Sequence, residues 1–345
     1  MTATTIFDME LPSIGTVENV SRATFDHEIR PAGEPVILKN LVGDWPAVKA
    51  SQASLDDLSA HLKQLDVGAS VPTFVASPDV NGRYFYTPDM RGFTFDRRDI
   101  PFRTVVDKLL DQKDDEHPLG IYAGASPTAN TLPRFAEFNP MPLLDPNPSP
   151  KVWLGNSAQI APHFDISENI ACVVAGKRQF VIFPPEQIAN LYVGPLDYNM
   201  AGQPASLVDL NDIDLERFPK FEEALKSAKI ATLEPGDAIY LPSLWWHFVQ
   251  SNGPFNVLVN YWWDRLRHGS PMNVLALALL VMRDLPDNDR SAWEAVFKHY
   301  IFDENAAHAA DHIPVPYKGA LDQSSPERDA LVKTFLRSQL PNVLR

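Results

Sequence analysis

Three residues stand out for what they could do together. His163 and Asp165 lie two apart in PHFDISEN, residues 162–169. On an extended strand residues i and i+2 point to one face, so an imidazole and a carboxylate would converge there. His247, in LPSLWWHFV, follows a strand and a turn and can bring a second imidazole from a neighbouring strand. Two imidazoles and one carboxylate on one face of a metal leave the opposite face open. That is the facial set of non-haem Fe(II) oxygenases, whose open positions take a chelating keto-acid and dioxygen. The blander reading of His247 is a core histidine hydrogen-bonded beside two tryptophans. His27, His61, His117, His268, His299, His308 and His312 lack such neighbours and read as surface or structural residues.

A set of this kind needs strands to hold it, and residues 119–265 supply the pattern. GIYAGA, NIACVVAG, RQFVIFPP, DAIYLPS and NVLVNYWW are short β-branched and aromatic runs bounded by Gly, Pro or Asn. Many short strands with turn signals between them suggest a sandwich or small barrel. Residues 211–229 are polar and partly helical, and read as an insertion between strands.

Residues 1–118 read as an α/β flank of the same domain. There PVILKNL, from Pro35, predicts a buried strand. Ser54 is a good N-cap, and Leu55, Leu58, Leu62 and Leu65 at helical spacing predict a helix over 54–65. TVVDKLLDQ, from Thr104, predicts another. Residues 270–345 read as a C-terminal helical region. Its segment 272–285 is apolar nearly all round and is expected to be buried on several faces. SAWEAVFKHYIF places Ser291 as N-cap with Glu294 at the capping-box position, and a last helix is expected over 326–340 behind Ser325.

Composition narrows the partners. The net charge of −14 and the lack of a Lys/Arg cluster argue against nucleic acid. The start of the chain lacks the charge and apolar run of a signal peptide. The longest apolar run, residues 274–282, is shorter than the roughly 20 residues that a membrane helix needs. A single cysteine, Cys172, excludes an intrachain disulfide and is expected to pack inside a strand. Together these read as a cytoplasmic chain whose 31 prolines are scattered as turns rather than massed in a linker.

The flanks of the three residues resemble the cupin-like JmjC family of Fe(II)/2-oxoglutarate oxygenases, in the branch that holds the asparaginyl hydroxylase of the hypoxia-inducible factor. PVILKNLVGDWPAVKA is similar to the N-terminal strand and Trp-Pro-Ala block of that family. PHFDISENIACVVAGKRQFVIFPPEQ resembles its metal strand, hairpin and Phe-Pro-Pro turn. LEPGDAIYLPSLWWHFVQS resembles its second metal-ligand block, and NVLVNYWW its closing strand. The resemblance implies a mainly β fold with helical flanks: a double-stranded β-helix, the cupin or jelly-roll architecture, with a C-terminal helical segment.

It implies roles as well. His163, Asp165 and His247 match the iron ligands. Arg178 falls where the family pairs a basic residue with the distal carboxylate of 2-oxoglutarate, a task suited to a bidentate guanidinium. The hydroxylase has Lys there; Lys177 is the neighbouring alternative, although on a strand it should face away from Arg178. Tyr122 matches a tyrosine on the same carboxylate, and Asn169 and Asn260 match polar residues lining the co-substrate pocket. Both asparagines could equally be strand-end caps. Ile160 departs from the pattern, because the hydroxylase has a hydroxyl residue three before its first ligand. Trp245, Trp246, Trp262 and Trp263 are expected to pack the core and rim, unless one lines a substrate mouth.

The implied reaction is hydroxylation of a protein, peptide or small-molecule C–H bond with O2 and 2-oxoglutarate as co-substrates. Demethylation of an N-methyl group by the same chemistry is an alternative, as is a cupin-like binding or regulatory module without turnover. A cupin isomerase is disfavoured, since such sites use more histidines. A homodimer through the C-terminal helices is expected on the same resemblance and on the apolar excess of residues 272–285.

Overall fold

Two long strands organise the N-terminal part of the protein, β8 (Glu168–Phe183) and β11 (Trp246–Trp263), which pair antiparallel along most of their lengths. The computed structural model describes residues 4–144, 148–264 and 266–344, and the chain divides into two units, 1–265 and 266–345.

The other strands of the first unit are β1 (Gly15–Glu18), β2 (Val36–Lys39), β3 (Ser70–Ala76), β4 (Phe95–Pro101), β5 (Gly120–Pro127), β6 (Lys151–Gly155), β7 (Ala158–His163), β9 (Lys229–Leu233) and β10 (Ala238–Leu241). They form one sheet in the order β1-β2-β10-β8-β11-β6-β5-β3-β4, with β7 joined to β11 and β9 to β8. β1 and β2 run parallel, and every other pairing between these strands is antiparallel. This is the mainly β, cupin-like jelly roll that the sequence resemblance implies. β1 to β4, from the region read as a flank, extend the same sheet at both ends. The insertion between β8 and β9 contains the short helix Phe221–Leu225.

β8 is buried on both faces, which is why its sequence reads as a nearly unbroken apolar run. Ile170, Cys172 and Val174 face outward into a core shared with three helices: α1 (Pro46–Ala53), α2 (Leu55–Leu65) and α3 (Phe102–Asp111). Ala171 and Val173, then Phe180 and Ile182, face inward with Val249 and Leu258 of β11. Each of the larger side chains among these, Val, Leu, Ile or Phe, contributes ~1.5–3 kcal/mol when fully buried. Ser54 caps α2 as expected, its Oγ accepting from the Asp57 N–H at 3.0 Å.

The inward set changes from odd to even numbers, so strict alternation is broken between Val173 and Phe180. The break is a bulge at Val174 and Ala175, which both join the outer core and where the β8–β11 register slips between Val173 and Ala175; Gly176, with φ +76°, follows it. A Cβ at Gly176 would stand 1.9 Å from Asn256 Oδ1. Only glycine fits this left-handed, crowded corner.

The second unit is helical, with α4 (Pro271–Val281), α5 (Asp287–Phe297) and α6 (Pro326–Val343). Ser325 caps α6 as expected, accepting from the Arg328 N–H at 3.1 Å. Two expectations need correction. α5 starts behind Pro286 rather than at Ser291, because Pro286 holds an extended backbone that cannot continue a helix and Asp287 and Asp289 complement the dipole of the first turn. α4, expected to be buried on several faces, has no buried residue; its apolar side chains remain available to a further partner. Among the described residues no helix is long and apolar enough to cross a membrane.

Candidate active site

His163 ends β7 and His247 is the second residue of β11, and the two are directly paired across those strands. Their ring centroids are 4.3 Å apart. Each imidazole is oriented in the same way: His163 Nδ1 lies 2.9 Å from the carbonyl oxygen of Ala161, and His247 Nδ1 lies 3.0 Å from that of Trp245. A carbonyl can only accept, so Nδ1 carries the proton on both rings and each Nε2 lone pair is free for a metal. Burial pushes the His247 imidazole down to about 4, with His163 acting in the same direction and Asp165 opposing. His247 is therefore neutral at pH 7, the form that ligates metals.

Asp165 arrives by a different route from the one its spacing suggests. β7 stops at His163, and Asp165 lies in the turn that leads to β8. That turn is tied to the loop before β11: the Leu244 N–H donates to the Asp165 carbonyl at 2.9 Å, and the Ser243 hydroxyl to that of Ile166 at 2.5 Å. Backbone bonds between two turns, rather than strand alternation, bring the carboxylate beside the histidines. Its Oδ2 is 3.9 Å from His247 Nε2. It accepts from Trp262 Nε1 at 3.0 Å and from Asn169 Nδ2 at 3.4 Å. Adjacent corners of an octahedron with ~2.1 Å bonds stand ~3.0 Å apart. As they stand, no three His, Cys, Asp or Glu side chains among the described residues are gathered closely enough to hold a metal ion. The His–Asp spacing would have to close by about 1 Å, within reach of the broad terminal torsion of a carboxylate. The donor types and the free Nε2 atoms suit a facial divalent metal.

The co-substrate residues lie on the same inner face. Arg178 is fully buried beside the Tyr122 phenol, which favours its charged form. Burial pulls its guanidinium below the ordinary value, and pushes the Tyr122 phenol up against the opposing pull of Arg178. Among the described residues no carboxylate pairs with Arg178, and its Nε has no partner. A buried cation without a counter-ion is costly to the protein alone, so the chemistry of this pocket suits an anionic ligand. Asn260 donates to Asn169 at 2.8 Å, leaving Asn260 Oδ1 without a partner. Lys177 lies on the opposite face, about half exposed and 3.1 Å from Glu234. The bulge at Val174 and Ala175 turns Arg178, not Lys177, toward the site.

Ile160 shares the inner face with His163 although the two are three positions apart, because β7 is bulged between its pairings with His247 and Val249. Ile160 packs with Tyr122 and Trp153. The four tryptophans divide. Trp246 is buried against Phe164, Trp263 stacks on Tyr240, and the Trp245 indole N–H donates to the Gly33 carbonyl at 3.0 Å. Trp262 is the one that touches the constellation, through Asp165. It lies two residues beyond Asn260, and that spacing was a signal for it. His268 and His308 are occupied by Asp329 and Asp311 in the helical unit.

A family model described as a cupin-like domain matches residues 22–268, more than half of the chain. HSPB1-associated protein 1 of Homo sapiens is 34% identical over 236 residues, covering 66% of this chain and 47% of that protein. The lysine-specific demethylase JMJ31 of Arabidopsis thaliana is 26% identical over 296 residues, covering 73% of this chain and 50% of that protein. The tRNA wybutosine-synthesizing protein 5 of Danio rerio is 33% identical over 89 residues, 26% of this chain and 24% of that protein. The chain spans about half the length of the first two relatives. On the family match, the jelly-roll fold and these relatives, the chain belongs to the cupin-like JmjC family of 2-oxoglutarate oxygenases.

Proposed function

We propose that this chain is an Fe(II)- and 2-oxoglutarate-dependent oxygenase that hydroxylates a C–H bond of a protein, peptide or small molecule. The observation that carries the reading is the meeting, on one inner face, of two histidines with free Nε2 atoms, Asp165, and a buried Arg178 that has no counter-ion among the described residues. His163, Asp165 and His247 would hold the iron. The metal, when bound, would activate O2 at the expense of 2-oxoglutarate, giving succinate and carbon dioxide while one oxygen atom goes to the substrate.

The remaining work falls to this chain's own residues. Trp262 and Asn169 both donate to Asp165 Oδ2, the oxygen 3.9 Å from His247 Nε2, and so hold the carboxylate beside the histidines. Arg178 and Tyr122 would take the distal carboxylate of the co-substrate, and Asn169 and Asn260 would line its pocket. The apolar inner wall of Phe180, Ile182, Val249 and Leu258 excludes water and strengthens each of these contacts. The test is succinate formed from 2-oxoglutarate by the iron-loaded protein under air. Production that exceeds the metal-free control and disappears in His163→Ala supports the reading; equal production in both rejects it and leaves a binding module without turnover.

The likeness to a protein named a lysine-specific demethylase supports a second outcome of the same chemistry. Hydroxylating an N-methyl group releases formaldehyde, so formaldehyde measured beside succinate separates demethylation from stable hydroxylation. The net charge of −14 supports a substrate other than nucleic acid. We also propose that two copies associate through the helical unit. Val274, Leu275 and Leu280 of α4 and Trp293 and Val296 of α5 are exposed, as are Leu331 and Phe335 of α6. Apolar exposure on this scale marks an association surface.

A further inference from the structure

Buried polar atoms in folded proteins almost always find a partner, so one that lacks it beside a ligand pocket is a candidate to bind the ligand. Among the atoms around the inner face that lack one are Arg178 Nε, Asn260 Oδ1 and Trp153 Nε1. The first two belong to residues already assigned to the co-substrate. The third does not.

Trp153 lies on β6, opposite Leu258 of β11, and its side chain joins the inner core. Its ring centroid is 5.4 Å from that of Tyr122 and 6.1 Å from that of Trp262, and it packs with Ile160. It thus stands between the tyrosine beside Arg178 and the tryptophan that bonds Asp165. The ring is fixed in place by Gly124. A Cβ on that residue would sit 2.0 Å from the indole, so the glycine of the GIYAGA run is the cradle that admits a tryptophan here. An indole N–H can only donate. Held rigidly, buried and without an acceptor, it is suited to an anion.

We infer that Trp153 binds the co-substrate, its indole N–H donating to the distal carboxylate of 2-oxoglutarate in place of the hydroxyl that Ile160 removes. This rests on the proposed function. The two departures then explain each other. A β-branched apolar residue at 160 packs against the indole, and the indole returns the hydrogen bond that the apolar residue cannot make. The distal carboxylate meets three donors, from Arg178, Tyr122 and Trp153, of which one is charged.

The test is calorimetric titration of the Mn(II)-loaded protein without oxygen, first with 2-oxoglutarate and then with oxalate. Oxalate can chelate the metal but has no distal carboxylate. If the native protein binds Mn(II) but not 2-oxoglutarate, the proposed function itself falls. If it binds both, Trp153→Phe should raise the 2-oxoglutarate Kd about tenfold or more. The Kd values for Mn(II) and oxalate should stay within about twofold, because neither reaches the indole. Adding Ile160→Thr to Trp153→Phe should recover most of the lost affinity by restoring a hydroxyl. An unchanged 2-oxoglutarate Kd in Trp153→Phe, an oxalate Kd that rises in step with it, or no recovery by Ile160→Thr would each overturn the inference.

Discussion

Arg178 carries the sharpest conflict between stability and binding in the molecule. Its guanidinium is fully buried with a phenol, and no carboxylate, for company. Truncating one partner of a buried charged pair costs ~3–5 kcal/mol of binding. Arg178→Met should therefore raise the 2-oxoglutarate Kd by at least about a hundredfold. The same substitution removes an uncompensated buried charge, so the melting temperature of the ligand-free protein should hold or rise. Titration and thermal melts on one preparation check both signs, and an unchanged Kd would move the anchor elsewhere. His163→Ala and Asp165→Ala should each abolish stoichiometric Fe(II) retention while circular dichroism stays native, since neither side chain supports the core. At this scale the sequence was readable where spacing and flanking blocks agreed, as at His163, Asp165 and His247. Trp153 and Trp262 were not assigned to the site, because an indole reads first as packing and its N–H acquires a role only when its direction is known.

The elements explain why directions were harder to read than identities. Counting by twos from Asn169 would send Lys177 inward and Arg178 outward; the bulge at Val174 and Ala175, just before the left-handed Gly176, reverses this. A bulge in β7 likewise puts Ile160 beside His163, and Asp165 leaves the strand altogether. Strand existence was legible from apolar runs, whereas a single inserted residue is invisible to a period of two. Gly176→Ala tests the corner. Left-handed backbone costs a Cβ-bearing residue ~1–2 kcal/mol, and the approach of Asn256 Oδ1 adds to it. A fall in melting temperature of at least about 4 °C is expected, with weaker 2-oxoglutarate binding in the protein that remains folded. A variant that melts and binds like the native protein would show that the corner tolerates a side chain. Helix starts were legible where a serine capped, at Ser54 and Ser325, and misplaced where a proline did the work, at Pro286.

At the scale of the whole molecule, the two units differ in what they keep from water. The first builds its cores from both faces of one sheet, while the long helices of the second have no buried residue. The proposed association gives a direct expectation. Light scattering at micromolar concentration should return about twice the 38.5 kDa of the chain. Leu280→Glu, which places a charge at a side chain 62% exposed on α4, should return the single mass. A native mass near 38.5 kDa would reject the dimer.

β11 has a consequence for how the protein comes into being. It pairs with β6, β7 and β8 and carries His247, Asn260 and Trp262, so its arrival joins segments that lie far apart in the chain. Closing such distant pairings is the slow step of β-rich folding. Until it happens, His163 and Arg178 face an open groove, and the chain can have collapsed without gaining any capacity to hold a metal. During refolding, metal capture should therefore keep time with the last kinetic phase rather than with the early gain of secondary structure. A divalent ion present from the start should slow unfolding far more than it speeds folding, because it can grip only the finished barrel.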